Sequence, residues 1–252
     1  MRTDALQIDR FYQTDQGRTA RAMIVRRLVA LWPDLKTLDL LAMGYGPPLL
    51  ELLEPETRRS LAFMPADQGA VRWPGDRASR TVLGEEAHLP FRDAVFDRIV
   101  LVHALEESQS PRHMLREIWR ILAPQGRVAL IVPNRAGLWA RMESTPFGHG
   151  RPFSKGQLSG LLTDAALTPT AWSRALYAPP WKWSCKDDRA LGWEQAGEKL
   201  TTHLGGLILA EAVKNTGALT PRATRPVRVR LPSLEGRPAT ALSPRKHFAK
   251  ED

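Results

Sequence analysis

The sequence predicts an α/β protein built on a doubly wound, mostly parallel sheet of seven strands. Three observations carry that expectation. Short apolar runs alternate with stretches of helical periodicity. A glycine turn, Gly44-Tyr45-Gly46, follows the first of these runs and leads straight into a helical segment. Several runs are apolar almost throughout, as expected of strands covered on both faces.

Residues 11–31 read as one helix, with Ala20, Met23, Ile24, Leu28 and Leu31 on a common face. The run Thr37–Met43 is the first strand, and Pro47-Pro48 opens the helix after it, where proline is tolerated in a first turn. Leu61–Met64 is a second strand, stopped by Pro65; Arg80–Leu83 is a third; Phe96–Val102 is a fourth. Ser110-Pro111 begins a helix whose Leu115, Ile118, Trp119 and Leu122 share one side. After a turn at Ala123–Gly126, Arg127–Val132 is the fifth strand. Residues 134–154 read as an ordered loop or lid. A helix (Lys155–Ala166), a strand (Thr170–Tyr177), a helix (Arg189–Leu200) and a strand (Leu207–Val213) follow. The expected organisation is one domain over residues 1–214 and a disordered basic tail over 215–252, too poor in apolar residues to offset its ordering entropy.

At 252 residues and 43% hydrophobic, the chain is long enough for one sizeable core. No apolar run approaches the roughly 20 residues of a membrane span. The charged N-terminus lacks the apolar centre of a secretory signal, and a single cysteine, Cys185, excludes a disulfide framework. A cytoplasmic protein is expected, with no membrane partner. The net charge of +9 is uneven, because nine Lys/Arg against three Asp/Glu fall between Lys214 and Asp252. Arg222, Arg225, Arg228 and Arg230 offer weak, salt-sensitive contacts to nucleic-acid phosphates; a solvated tail without a partner is the alternative. The six histidines are dispersed, which argues against a metal centre. Nothing in the sequence addresses oligomeric state.

The stretch Gly84–Asn134 carries six ordered elements: Glu85; Leu89-Pro90-Phe91; Phe96-Asp97; His103-Ala104-Leu105-Glu106; Leu122-Ala123-Pro124-Gln125-Gly126; and Val128–Pro133. In that order and spacing they resemble the type-11 branch of the class I methyltransferases, which use S-adenosylmethionine (SAM). The chain looks especially similar to an alphaproteobacterial subgroup with a degenerate glycine loop, through Gly44-Tyr45-Gly46, the segment Thr145–Ser154 and a tryptophan-rich C-terminal third.

The resemblance implies a Rossmann-like methyltransferase fold, SAM as cofactor, and a methyl acceptor, a small molecule being one option, that the sequence does not identify. It places Gly44, Tyr45 and Gly46 beside the methionine part of SAM, with the loop's acid replaced by Ala42, or by Leu40 in a second register. The ribose station falls on Met64, followed by Pro65, and neither accepts the two hydroxyl bonds. Glu85 or its neighbour Glu86 meets the adenine amino group. His103, at the carboxyl end of a buried strand, either lines the pocket or is a packed histidine. Methyl transfer from a sulfonium requires alignment of donor and acceptor, sometimes with a base. His149 is the candidate base, and a loop turn is its bland alternative. Trp172, Trp181, Trp183 and Trp193 read as core or lid packing, or as an aromatic acceptor wall. A dinucleotide dehydrogenase would need a third glycine at Leu49 and an acid near Met64, and has neither. The remaining alternatives are a catalytically inactive methyltransferase fold kept as a scaffold, and a nucleic-acid-associated protein using the tail.

Overall fold

A computed structural model describes residues 2–181, 183–185, 187–200 and 203–215. The expected basic tail therefore lies outside the described residues, apart from Asn215.

The expected α/β architecture is present. Seven strands form one sheet: β1 (Asp39–Gly44), β2 (Arg59–Pro65), β3 (Thr81–Gly84), β4 (Phe96–Val102), β5 (Leu122–Pro133), β6 (Leu167–Ala175) and β7 (Leu207–Lys214). Their order is β3-β2-β1-β4-β5-β7-β6. β1 to β5 run parallel, while β7 is antiparallel to both β5 and β6. The order reverses between β1 and β4. That switch point opens a crevice at the carboxyl ends of the strands, where ligands of open α/β sheets bind.

Among the described residues, six α-helices accompany the sheet: α1 (Ala5–Tyr12), α2 (Asp15–Leu31), α3 (Pro47–Leu53), α4 (Pro111–Ile121), α5 (Lys155–Asp164) and α6 (Asp187–Leu200). Alternation along the strands feeds two cores. Leu40, Ala42, Val100 and Val102 face α1, α2 and α3 with Ile8, Ile24, Leu28 and Leu49. Leu41, Met43, Ile99 and Leu101 face α4 and α5 with Met114, Ile118, Leu158 and Leu162. The period-two pattern of a strand thus becomes two buried layers.

The single helix expected over residues 11–31 is two. Asp4 caps α1 by accepting from the Leu6 amide at 2.9 Å, and Thr14 caps α2 by accepting from the Gly17 amide at 3.1 Å. Two polar caps outweigh the continuous apolar periodicity that spans the break. β5 begins at Leu122, so the turn expected at Ala123–Gly126 is absorbed into the strand. β6 spans Leu167–Ala175, earlier in the chain than the expected 170–177. The loop 134–154 contains two single 3₁₀ turns, Trp139–Arg141 and Pro146–Gly148, and Asn134 pairs with Phe153 as a short bridge. None of the described helices is long and apolar enough to cross a membrane.

Candidate functional site

The crevice above β1, β2, β3 and β4 collects Gly44, Tyr45, Gly46, Met64, Glu86 and His103 at one edge of the sheet. β1 ends at Gly44, whose φ is +87°. A Cβ there would lie 2.1 Å from the Val102 carbonyl oxygen, and one at Gly46 would lie 2.3 Å from the Ala42 Cβ. Both glycines are therefore demanded by the packing of the turn against its own strands, not by an open cradle above it. Tyr45 is fully buried and donates to Asp9 Oδ1 at 2.6 Å. Burial and that bond push its phenol pKa upward. Met64 is fully buried at the end of β2, its sulfur 3.4 Å from the Val71 amide.

The two acids after β3 part company. Glu85 has an exposed side chain, 3.8 Å from His88. Glu86 points into the crevice, where it accepts from Arg2 Nη2 and from the Ser108 hydroxyl.

His103 closes β4 with φ near +50°, strained for a non-glycine residue and frequent at functional sites. Its Nε2 lies 2.9 Å from the Tyr12 hydroxyl. Burial lowers the His103 pKa to about 3, with His149 adding to the effect. Burial raises that of Tyr12. The imidazole is therefore neutral and Tyr12 donates to it. The other ring nitrogen, Nδ1, has no hydrogen-bond partner and faces the equally orphaned Glu106 Oε1 at 3.9 Å. Glu106 Oε2 accepts from the Ala104 amide at 3.2 Å, and burial raises its pKa to about 8. A carboxyl held toward its neutral form and a neutral imidazole thus face each other, and the Phe147 ring centroid lies 4.6 Å from that of His103.

His149 follows the 3₁₀ turn that supplies Phe147 and is half-buried. The tryptophans expected to act together are divided. Trp181, Trp183 and Trp193 form an exposed aromatic group, with centroids 5.8 and 6.5 Å apart. Trp172 lies on β6 and packs beneath Lys155.

Of these residues only Glu86 carries a carboxylate suited to the nucleoside end of SAM. No acid stands at Ala42 or Met64, the tyrosine ring and thioether are packed into the core, and Glu86 is satisfied from within the chain. Two surface hollows, one lined by Arg112, Arg116 and Asp164 and the other by Thr19, Met23 and Cys185, include none of the glycine-turn residues.

The residues that complete the edge and lack a signature in the sequence are Arg2, Thr3 and Tyr12. Their roles depend on α1 folding back over the strand ends, which no local pattern announces. Glu106 belongs to the quoted His-x-Leu-Glu stretch, but its burial follows from the loop 134–154 covering it: the Arg151 amide donates to the Glu106 carbonyl at 2.8 Å.

Residues 51–130 match a family model described as a methyltransferase domain. No curated protein matches the chain in sequence. Among solved structures, the chain is similar to a SAM-dependent methyltransferase from Thermotoga maritima at 17% identity and a TM-score of 0.59, covering 82% of this chain and 94% of that one. It is similar to 1,6-didemethyltoxoflavin-N1-methyltransferase from Burkholderia thailandensis, with S-adenosylhomocysteine bound, at 18% identity, TM-score 0.51 and coverage of 84% and 88%. A third likeness is geranyl diphosphate C-methyltransferase from Streptomyces coelicolor, also with S-adenosylhomocysteine, at 14% identity, TM-score 0.53 and coverage of 76% and 77%. The chain therefore has the methyltransferase fold, and its sheet from the end of α3 to β5 lies within a methyltransferase-domain match.

Proposed function

We propose that this chain is a SAM-dependent methyltransferase that passes the methyl group to a separate acceptor. The match of residues 51–130 to a methyltransferase domain carries the reading, because those residues build the crevice walls from β2 to β5. In this reading Gly44, Tyr45 and Gly46 border the methionine end of the cofactor and Met64 borders its ribose. Glu86 takes the adenine amino group, with Glu85 at the rim, and His103 lies beneath. His149 stands on the acceptor side as the candidate base. The protein's contribution is alignment in a dry crevice.

A second reading has its own observation. Two acids are absent and the crevice is filled from within, as expected of a methyltransferase fold kept as a non-catalytic scaffold. Calorimetric titration of the full chain with SAM and S-adenosylhomocysteine separates the two. Saturable binding is expected; no heat up to about millimolar ligand would remove the enzyme reading and leave the scaffold.

A further inference from the structure

The two residues ahead of the α1 cap enter the carboxyl edge of the sheet as a ligand would. The Arg2 side chain is only 2% exposed. Its Nε lies 2.9 and 3.1 Å from the two carboxylate oxygens of Asp67, beyond β2. Its Nη2 donates to Glu86, beyond β3, and its Nη1 lies 3.4 Å from the Ala104 carbonyl, beyond β4. Thr3 extends the attachment. Its amide donates to Glu107 Oε2 at 2.7 Å and its hydroxyl to Glu107 Oε1 at 2.6 Å. The Ala5 amide donates to the Gln68 carbonyl at 2.8 Å.

A long arginine side chain loses much rotamer freedom when fixed. Arg2 is nonetheless held, because the loops after β2, β3 and β4 each present an acceptor to one place. A planar guanidinium offers those acceptors several N–H donors in a fixed fork.

We propose that Arg2 and Thr3 form an intramolecular plug that competes with the cofactor for the nucleoside end of the crevice. The proposal rests on the methyltransferase reading. Adenine presents an N–H donor edge, and Glu86 accepts such an edge from either the base or the guanidinium. With the plug seated, Glu86 has a cationic partner without cofactor; with cofactor bound, residues 2 and 3 must leave. The body of α1 stays, because Ile8, Phe11 and Tyr12 belong to the core. Competition from a tethered group lowers apparent affinity by the fraction of molecules in which the plug is seated.

The test uses the full chain with S-adenosylhomocysteine as probe, by calorimetry on wild type, Arg2→Ala and Thr3→Val. Hydrogen exchange is followed at the Thr3 and Ala5 amides. Arg2→Ala is expected to bind at least about tenfold more tightly than wild type, equivalent to about 1.4 kcal/mol, with Thr3→Val between them. Saturating ligand is expected to speed exchange at Thr3 and Ala5 in the wild type. Thr3→Val removes one side-chain bond only, and so keeps the test intact if Arg2→Ala does not fold. Equal affinities with unchanged exchange would overturn the plug while leaving the methyltransferase reading in place. Weaker binding by Arg2→Ala would also overturn it, by making Arg2 a cofactor contact. No binding by any of the three would remove the methyltransferase reading and the competition with it.

Discussion

Two regions of the sheet treat buried carboxyl groups in opposite ways. In mid-sheet on β7, level with Ala129 of β5, Glu211 is 3% exposed and fully engaged. It accepts from Trp32 Nε1 at 2.9 Å, from Arg127 Nη1 at 3.0 Å and from the Thr170 hydroxyl at 2.5 Å. Asp39, at the start of β1, is paired with Arg58 and Arg59, which lowers its pKa. At the carboxyl edge, Glu106 is equally buried but accepts one hydrogen bond, leaves Oε1 without a partner and is driven toward its neutral form. Beside it, His103 is strained and half-partnered. A fully satisfied carboxylate anchors a fold. Unpartnered polar atoms under a reversible cover mark the edge where chemistry and ligands belong.

The largest expected effect breaks the Glu211 network. Glu211→Ala strips Arg127, Trp32 and Thr170 of their acceptor, and should cost about 3–5 kcal/mol in denaturant unfolding. A loss below about 1 kcal/mol would mean that the network adds little net stability. Gly44→Ala comes next, at about 2–4 kcal/mol, because a side chain at φ +87° is strained and its Cβ meets the Val102 carbonyl. Wild-type stability after that exchange would show that the turn has room to move.

Glu106→Gln sharpens the contrast through pH. Glu106 has its folded pKa raised above the unfolded value, so its contribution is full below about 4.5 and is lost as pH rises toward about 8. His103 has its folded pKa lowered, so its contribution is full above about 6.5 and is lost as pH falls toward about 3. The two slopes oppose each other below 6.5. Between about 6.5 and 8 only Glu106 acts within this pair, so wild type should weaken with rising pH while Glu106→Gln does so less. Parallel unfolding curves would place an ionised Glu106 in the folded state. The smallest effect is at Lys214, whose Nζ donates to the Leu122 carbonyl at 2.6 Å beside the end of α4 and sits over the Trp119 ring. Lys214→Met should cost about 1 kcal/mol in thermal unfolding.

The strand cores were legible because burial on both faces leaves an apolar run with no polar interruption, as in Phe96–Val102. The glycine turn was legible as well, since a strand-to-helix reversal needs residues without side chains at Gly44 and Gly46. The split between α1 and α2 was not, because Thr14 interrupts an apolar stripe that is otherwise continuous. Nor was the cover over the crevice. Arg2 finds its partners 65 and 84 residues away along the chain, and Tyr12 finds His103 at a distance of 91. Only the folded sheet brings those positions together. Glu85 and Glu86 look alike in sequence, and only the direction of the loop after β3 sends one outward and the other inward.

Hydrogen exchange of the full chain with and without saturating S-adenosylhomocysteine tests the central claim, that the carboxyl edge is the working edge and the Glu211 network the anchor. Changes are expected at residues 2–5, 44–50, 64–68, 84–86 and 103–108, with Trp32, Arg127 and Glu211 unaffected. A response around Glu211 or along α4 and α5, or none at all, would contradict it.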